Sequence, residues 1–379
     1  MRIGFDGKRA VRNNTGLGNY SRYVLEILCK YYPENTYIAF APKKNSHLRM
    51  KHLQESYPHL HIRYPDTSFW KFFSKIWRIW GITRQCQKEN IDIFHGLSNE
   101  LPLNIQSSGI KSVVSIHDLI FLRYPHFYAY ADRKIYEYKF KKACIHADHI
   151  IAVSECTKKD IINYFKVSSN KITTIYQGCD PSFSVVMEEH RKAAIRCKYH
   201  LPEHYILNVG SIEERKNVLL AVKAIAGIDE EMHLVIIGRR TKYTKKVEQY
   251  IRLHQLDNRV MILDNVPFTD LPAIYQQAEV FVYPSLYEGF GIPIVEALNS
   301  GVPVIAATNS CLEEAGGPSS LYVEPHDIKG LEAAIEHVLH DADFRAEMIR
   351  NGKEYAKKFS EERQADELMH LYQTLLHKK

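Results

Sequence analysis

The chain has 379 residues, 45% of them hydrophobic and 25% charged, which is long for one ordinary domain and enough for two with separate cores. No apolar run approaches the ~18 residues a spanning helix needs, and the opening residues Met1–Gly7 carry no signal core, so membrane-spanning and secreted classes are set aside and a cytoplasmic protein is expected. The net charge of +6 is uneven, because residues 1–180 hold 27 Lys and Arg against 15 Asp and Glu, and the rest 23 against 29.

A basic first half suits an anionic partner such as nucleic acid, lipid headgroups or a phosphorylated acceptor, or equally a solubilising surface with no partner. The seven cysteines (29, 86, 144, 156, 179, 197 and 311) form no C-x-x-C pair and fit reduced, buried thiols better than disulfides or zinc ligands.

In chain order, short apolar strands are predicted at 2–6, 36–41, 92–95, 112–116, 149–153 and 172–175. The second half is punctuated more clearly. Strands at 205–210, 233–238, 260–263, 280–285 and 302–306 alternate with helices at 216–226, 242–254, 270–278 and 291–300, and the tail from about 328 reads as helical. Short buried strands alternating with helices indicate parallel sheets covered on both faces, so two doubly wound α/β domains are expected. The strand rhythm lapses near 181–200. The expected domains are 1–185, with 361–379 packing back on it, and 186–360.

Four segments carry chemistry. Glu288-Gly289-Phe290-Gly291-Ile292-Pro293-Ile294-Val295-Glu296 follows a strand and opens a helix. Its glycines let a ligand approach the backbone, and the helix start offers N–H groups to an anion. Its two carboxylates suit vicinal hydroxyls of an extended ligand, though a loop glutamate and a surface glutamate on a helix would look the same. Gly210-Ser211-Ile212-Glu213-Glu214-Arg215-Lys216-Asn217 also joins a strand end to a helix, where Arg215 and Lys216 could neutralise a diphosphate. The third segment, Thr15-Gly16-Leu17-Gly18-Asn19-Tyr20, is a G-x-G turn without the full dinucleotide fingerprint. The fourth is His117-Asp118, at a strand end where a histidine reaches substrate or serves structure. The single D-x-D, Asp341-Ala342-Asp343, reads as a helix N-cap rather than a metal site, so no metal is assigned.

With these residues in place the chain resembles glycosyltransferase family 4, the glycosyltransferase group 1 family. EGFGIPIVE at 288–296 matches the family's E-x7-E motif. VGSIEERKN at 209–217, AVSECTKKDI at 152–161 and Tyr176-Gln177-Gly178-Cys179-Asp180 match further family patterns, and Thr15–Tyr20 with 115–120 looks most like the bacterial mannosyltransferase branch. The resemblance implies a GT-B fold of two facing Rossmann-like domains with an interdomain cleft. It implies a retaining, metal-independent hexosyltransferase with no cofactor, moving mannose from GDP-mannose to a growing glycan or lipid-linked saccharide in cell-surface polysaccharide synthesis. A UDP-sugar transferase of the same fold and a nucleotide-sugar epimerase are the alternatives.

Carried over by position, Arg215 and Lys216 hold the diphosphate, Glu288 contacts the donor sugar, Glu296 binds the ribose hydroxyls, Gly16 and Gly18 close over the phosphates, and His117 touches the donor sugar. Gly210, Val266, Gly289, Phe290, Gly291 and Ile292 complete the implied donor site. The sequence departs from the family at Asp264-Asn265-Val266-Pro267, beside the base, and at Glu313, where proline is common. No nucleic-acid partner is implied.

All three tryptophans, Trp70, Trp77 and Trp80, fall in a stretch with Lys71, Lys75 and Arg78. Aromatics among cations suit an anionic membrane surface, which would place the protein on the inner face of the cytoplasmic membrane. Their helical spacing equally suits a core.

Overall fold

The computed structural model describes residues 1–45 and 47–377. It divides into two compact units, Met1–Gln177 with the C-terminal segment from Glu361, and Gly178–Ser360. Lys378 and Lys379, the end of the expected 361–379 segment, lie outside the described residues.

The first unit is built on seven parallel strands: β1 Arg2–Asp6, β2 Thr36–Phe40, β3 Leu60–Arg63, β4 Ile93–Gly96, β5 Lys111–Ile116, β6 His149–Ala152 and β7 Ile172–Thr174, in the order β3-β2-β1-β4-β5-β6-β7. The register is continuous, with Ile3 opposite both Tyr37 and Ile93. Strands buried on both faces need apolar residues at consecutive positions, as in Ile150-Ile151-Ala152. The C-terminal helix Glu361–His377 lies in this unit and adds Ala365, Leu368, Met369 and Tyr372 to a core shared with Val24 and Leu28 of the helix Gly16–Tyr31. Lys30 pairs with Glu361 at 2.8 Å and the Tyr32 hydroxyl donates to Asp366 at 2.7 Å.

The second unit holds six parallel strands: β8 Tyr205–Val209, β9 His233–Ile237, β10 Val260–Leu263, β11 Val280–Tyr283, β12 Val304–Ala307 and β13 Leu321–Val323, ordered β10-β9-β8-β11-β12-β13. In each sheet the strand order reverses beside the first strand of the unit, between β1 and β4 and between β8 and β11. Loops leaving the carboxyl ends of such a pair splay apart, and ligands bind there.

The tryptophan stretch does not act as one surface. Trp77 is fully buried against Ile38, Phe40 and Phe94, whereas Phe69, Phe72, Ile76 and Trp80 are exposed. A π-helical turn at Trp77–Gly81 inserts Trp77 into the core, and such turns change which side chains share a face. No helix among the described residues is long and apolar enough to cross a membrane. Asp341 caps the helix Ala342–Ala356, its carboxylate accepting from the Phe344 N–H at 2.9 Å.

Candidate active site

In the second unit the chemistry gathers at the β8/β11 reversal. Arg215 and Lys216 leave the end of β8, and Glu288 leaves the end of β11. The Leu286 N–H donates to the Arg215 carbonyl at 2.9 Å, tying the loops together before any side chain is considered. Glu288 then accepts from both cations, with Arg215 Nη1 2.8 Å from its Oε2 and Lys216 Nζ 3.0 Å from its Oε1. Ser285 Oγ donates to the same Oε1 at 3.0 Å and the Tyr283 hydroxyl at 3.1 Å, while Lys216 donates to the Tyr283 oxygen at 2.6 Å.

Burial would raise the Glu288 carboxyl, but Arg215 and then Lys216 hold it down at about 2. Burial would likewise lower the Lys216 ammonium, but Glu288 and Tyr283 keep it above its ordinary value. All three groups are therefore charged at neutral pH. Arg215 also lies 3.7 Å from Glu213, which pairs with the exposed Arg239 at the same distance, so three cations face two carboxylates and the cluster keeps a positive excess. Two of the three ammonium protons of Lys216 are directed to Tyr283 and Glu288.

The loop that carries Glu288 is supported from below, where Cys311 Sγ donates toward the carbonyls of Glu288 and Phe290 at 3.0 and 3.1 Å. Gly289 follows Glu288 on this loop and Phe290 is buried against Phe359. Gly291 takes φ +132°, a conformation strained for any side chain. It starts the helix Ile292–Asn299, with Ile292 at its first position.

Glu296 lies inside that helix, buried rather than on the surface, with its Oε2 accepting from the Tyr275 hydroxyl at 2.8 Å. Burial raises its carboxyl to about 7, against the hydrogen bond from Tyr275. Gly210 follows β8 beside the Lys216 side chain, and Val266 sits half-buried on the loop after β10. Glu313 organises the turn after β12, where its Oε1 accepts from Thr308 Oγ1 at 2.6 Å and the Asn309 N–H at 2.9 Å.

The structure thus brings together Arg215, Lys216 and Glu288, which the sequence offers as separate motifs. It also adds residues that sequence reasoning passed over. Tyr283 and Ser285 read only as the end of a strand, and Tyr275 as a helical position. Asn217, in the left-handed region, donates to the Pro284 and Pro325 carbonyls at 3.1 and 2.7 Å and joins the ends of β11 and β13. Its place beside the Arg-Lys pair at a helix start was the available signal.

In the first unit Asn13 organises the G-x-G turn. Its Oδ1 accepts from the Thr15 N–H and hydroxyl at 2.9 and 2.6 Å and from the Gly18 N–H at 3.2 Å. A side chain at 18 would meet the Asn13 carbonyl at 2.0 Å, whereas nothing lies within 4 Å at Gly16. His117 is buried, with Nε2 2.8 Å from the Leu97 carbonyl and Nδ1 3.0 Å from Gln177 Nε2. The carbonyl can only accept and the amide nitrogen only donate, so the ring carries its proton on Nε2. Burial lowers its pKa to about 4. His117 reaches a ligand through its ring nitrogens only by exchanging one of these bonds. Tyr20 stands edge-on to it at 4.5 Å and hydrogen-bonds Ser115, which also meets His95, itself bonded to the Tyr372 hydroxyl.

Two family models match the chain, Glycosyltransferase Family 4 over residues 22–183 and Glycosyl transferases group 1 over 194–355. The chain belongs to glycosyltransferase family 4. Among its relatives is O-antigen chain mannosyltransferase B of Escherichia coli, 28% identical over 75% of this chain and 74% of that protein. The serotype-specific mannosyltransferase WbdA of Escherichia coli is 27% identical over 71% of this chain but only 34% of its own greater length. O-antigen chain mannosyltransferase RfbU of Salmonella typhimurium is 29% identical over 60% of this chain and 61% of that one. The names of these relatives agree with the motif resemblance to the mannosyltransferase branch.

Among solved structures, sucrose-phosphate synthase from Thermosynechococcus elongatus superposes with a TM-score of 0.81 over the whole of both chains at 21% identity. Anabaena HepE in complex with UDP and glucose does so at 0.79 with 17% identity, over 99% of this chain and all of that one. The fold is therefore GT-B; the two family models make the chain a glycosyltransferase, and its O-antigen relatives support a role in polysaccharide synthesis.

Proposed function

We propose that this family 4 enzyme is a retaining, metal-independent hexosyltransferase. It takes mannose from GDP-mannose and adds it to a growing glycan or lipid-linked saccharide at the cytoplasmic face of the membrane. The observation that carries the reading is the pairing of Glu288 with both Arg215 and Lys216. Departure of a nucleoside diphosphate develops negative charge on a phosphate oxygen, and fixed cations stabilise that charge most where they need no reorganisation. Glu288 supplies the fixing. It holds the guanidinium and the ammonium side by side, with its own oxygens filled by Lys216, Arg215, Tyr283 and Ser285, and the donor's diphosphate takes up the excess positive charge.

Glu296, as carboxylate, accepts from the two ribose hydroxyls, and Val266 lies along the base. Gly289, Phe290, Gly291 and Ile292 present backbone to the donor. Gly16, Gly18 and His117 are assigned to the donor by the family pattern alone. Mannose as the sugar is supported by the relatives named as mannosyltransferases. A UDP-sugar donor is the second reading, favoured by the fold match to HepE in complex with UDP and glucose.

Sugar transfer from a panel of GDP- and UDP-sugars, with and without excess EDTA, tests this. Transfer from GDP-mannose that survives the chelator, with the anomeric configuration kept, is expected. A large loss restored by Mg²⁺ or Mn²⁺ would overturn the assignment of Arg215 and Lys216 to the leaving group.

A further inference from the structure

We propose that the first unit carries a binding site for the phosphate of an amphipathic, lipid-linked acceptor, in a cavity of about 480 Å³ walled by Lys8, Arg9, Arg12, Lys43, Lys75 and Lys139. The cavity opens past the carboxyl ends of β1 and β2, on the edge of the sheet that faces ligands in doubly wound folds, beside the β1/β4 reversal rather than at it. Lys8, Arg9, Arg12 and Asn13 come from the loop after β1, Pro42 and Lys43 from the loop after β2, and Lys75, Arg78 and Ile79 from the segment after β3.

Its charge is largely uncompensated. Arg78 is neutralised by Asp6 at 2.8 Å and Glu100 at 2.5 Å, and Lys139 reaches the same Glu100 at 3.4 Å. Arg9, Arg12, Lys43 and Lys75 make no ion pair with a carboxylate among the described residues. Lys8 is held below the ordinary lysine value by burial and by the nearby Arg78. Like charges gathered on one concave surface repel each other, and a multivalent anion relieves that repulsion. A phosphate monoester or diphosphate fits this charge, and the volume leaves room for what the phosphate carries.

The apolar part of the surface selects the lipid. Val11, Pro42 and Ile79 share the cavity wall with the cations. The segment that contributes Lys75 and Ile79 also exposes Phe69 (60%), Phe72 (82%), Ile76 (48%) and Trp80 (50%). Phe73 packs against Phe69 and Phe72 with ring centroids 5.0 and 4.9 Å away, forming one aromatic ridge. The helix Tyr130–His146, which contributes Lys139, exposes Tyr130, Ile135 and Tyr138 as well. A soluble sugar phosphate would use the cations and leave this ridge in water. A phosphate joined to a hydrocarbon chain uses both. Only the word acceptor rests on the glycosyltransferase reading, since the cavity and its charge stand without it.

The test is calorimetric titration of the full chain with inorganic pyrophosphate, farnesyl diphosphate and farnesol, each with and without saturating GDP or UDP. Wild type is compared with Lys43→Ser/Lys75→Ser and Phe69→Ser/Phe72→Ser, all first checked by thermal melting. With the nucleotide present, farnesyl diphosphate is expected to bind wild type at least ~10-fold tighter than pyrophosphate, and the lysine variant to lose at least ~10-fold for both. The phenylalanine variant is expected to weaken farnesyl diphosphate alone, and added salt to weaken both anions. Equal binding of pyrophosphate and farnesyl diphosphate would mean a soluble phosphate site and overturn the lipid assignment. Farnesol binding as tightly as its diphosphate, or wild-type binding by the lysine variant, would overturn the anion site. A protein that binds farnesyl diphosphate as expected but neither GDP nor UDP would keep this site and lose the glycosyltransferase reading.

Discussion

Lys216 Nζ stands 3.0 Å from Glu288 Oε1, although the two residues are 72 positions apart. The loops that carry them leave β8 and β11, neighbours in the second sheet but not in sequence. The topology therefore makes this contact, and Arg215 joins it from the position just before Lys216.

Removing Glu288 takes from Lys216 its carboxylate partner and leaves Arg215 only the longer 3.7 Å pair with Glu213. Glu288→Ala is expected to destabilise the protein by about 3 kcal/mol, the cost of leaving a buried charge without its partner, and to lower kcat because Arg215 and Lys216 lose their fixed geometry. Glu288→Gln keeps acceptance from Ser285 and Tyr283 and costs less. Denaturant unfolding and steady-state kinetics on both variants check this. An alanine variant as stable as wild type would show that the pairing does not hold the site together. The same carboxyl, held at about 2, contributes stability that is present above the ordinary glutamate range and lost as pH falls toward 2.

Glu296 behaves in the opposite sense. Its carboxyl is raised from 4.5 to about 7, so the folded state holds a proton that the unfolded state has released. Its contribution to stability is complete below about pH 4.5 and declines as pH rises to 7. Glu296→Gln should match wild type near pH 4.5 and exceed it at pH 8, by on the order of 3 kcal/mol. Donor affinity should show the converse in wild type, tightening as pH rises through 7 and the carboxylate forms to accept from ribose. Unfolding curves across this pH range check the first expectation, and a difference that does not grow with pH would contradict it.

The tryptophan stretch makes a prediction about stability alone. Trp77→Ala empties a fully buried position and should cost about 3–5 kcal/mol, whereas Trp80→Ser at an exposed position should change stability by about 0.5 kcal/mol or less. Chemical denaturation of the two variants decides it. Equal losses would place both side chains in the core.

Much of the fold was legible because its strands are buried on both faces. Runs such as Val280-Phe281-Val282-Tyr283 announce themselves without alternation. The two strands the sequence hid are β3 and β13, both at sheet edges and only four and three residues long. One face of β3 is half-exposed, so Leu60-His61-Ile62-Arg63 shows no apolar run.

At the site, residue types at strand ends and helix starts singled out Arg215, Lys216, Glu288 and Glu296, although for the two glutamates a structural reading fitted the sequence equally well. Tyr283, Ser285 and Asn217 were not legible, because their roles come from neighbouring strands that only the sheet order brings together. His117 was visible as a residue, but its two engaged ring nitrogens depend on Leu97 and Gln177, which no local pattern connects to it. The basic character of the first half was plain in the charge count. That several of its cations meet in one cavity required the fold.

We assign Arg215 and Lys216 to the departing diphosphate and Glu296 to the ribose. Steady-state kinetics with saturating donor on Lys216→Ala and Glu296→Ala, both confirmed folded, test this assignment most directly. Lys216→Ala removes a fixed charge whose value grows in the transition state, and kcat should fall by roughly 10²–10³. Glu296→Ala removes a contact made equally in ground and transition states, so the donor KM should rise with a smaller change in kcat. A collapse of kcat in Glu296→Ala beside an intact kcat in Lys216→Ala would contradict the account.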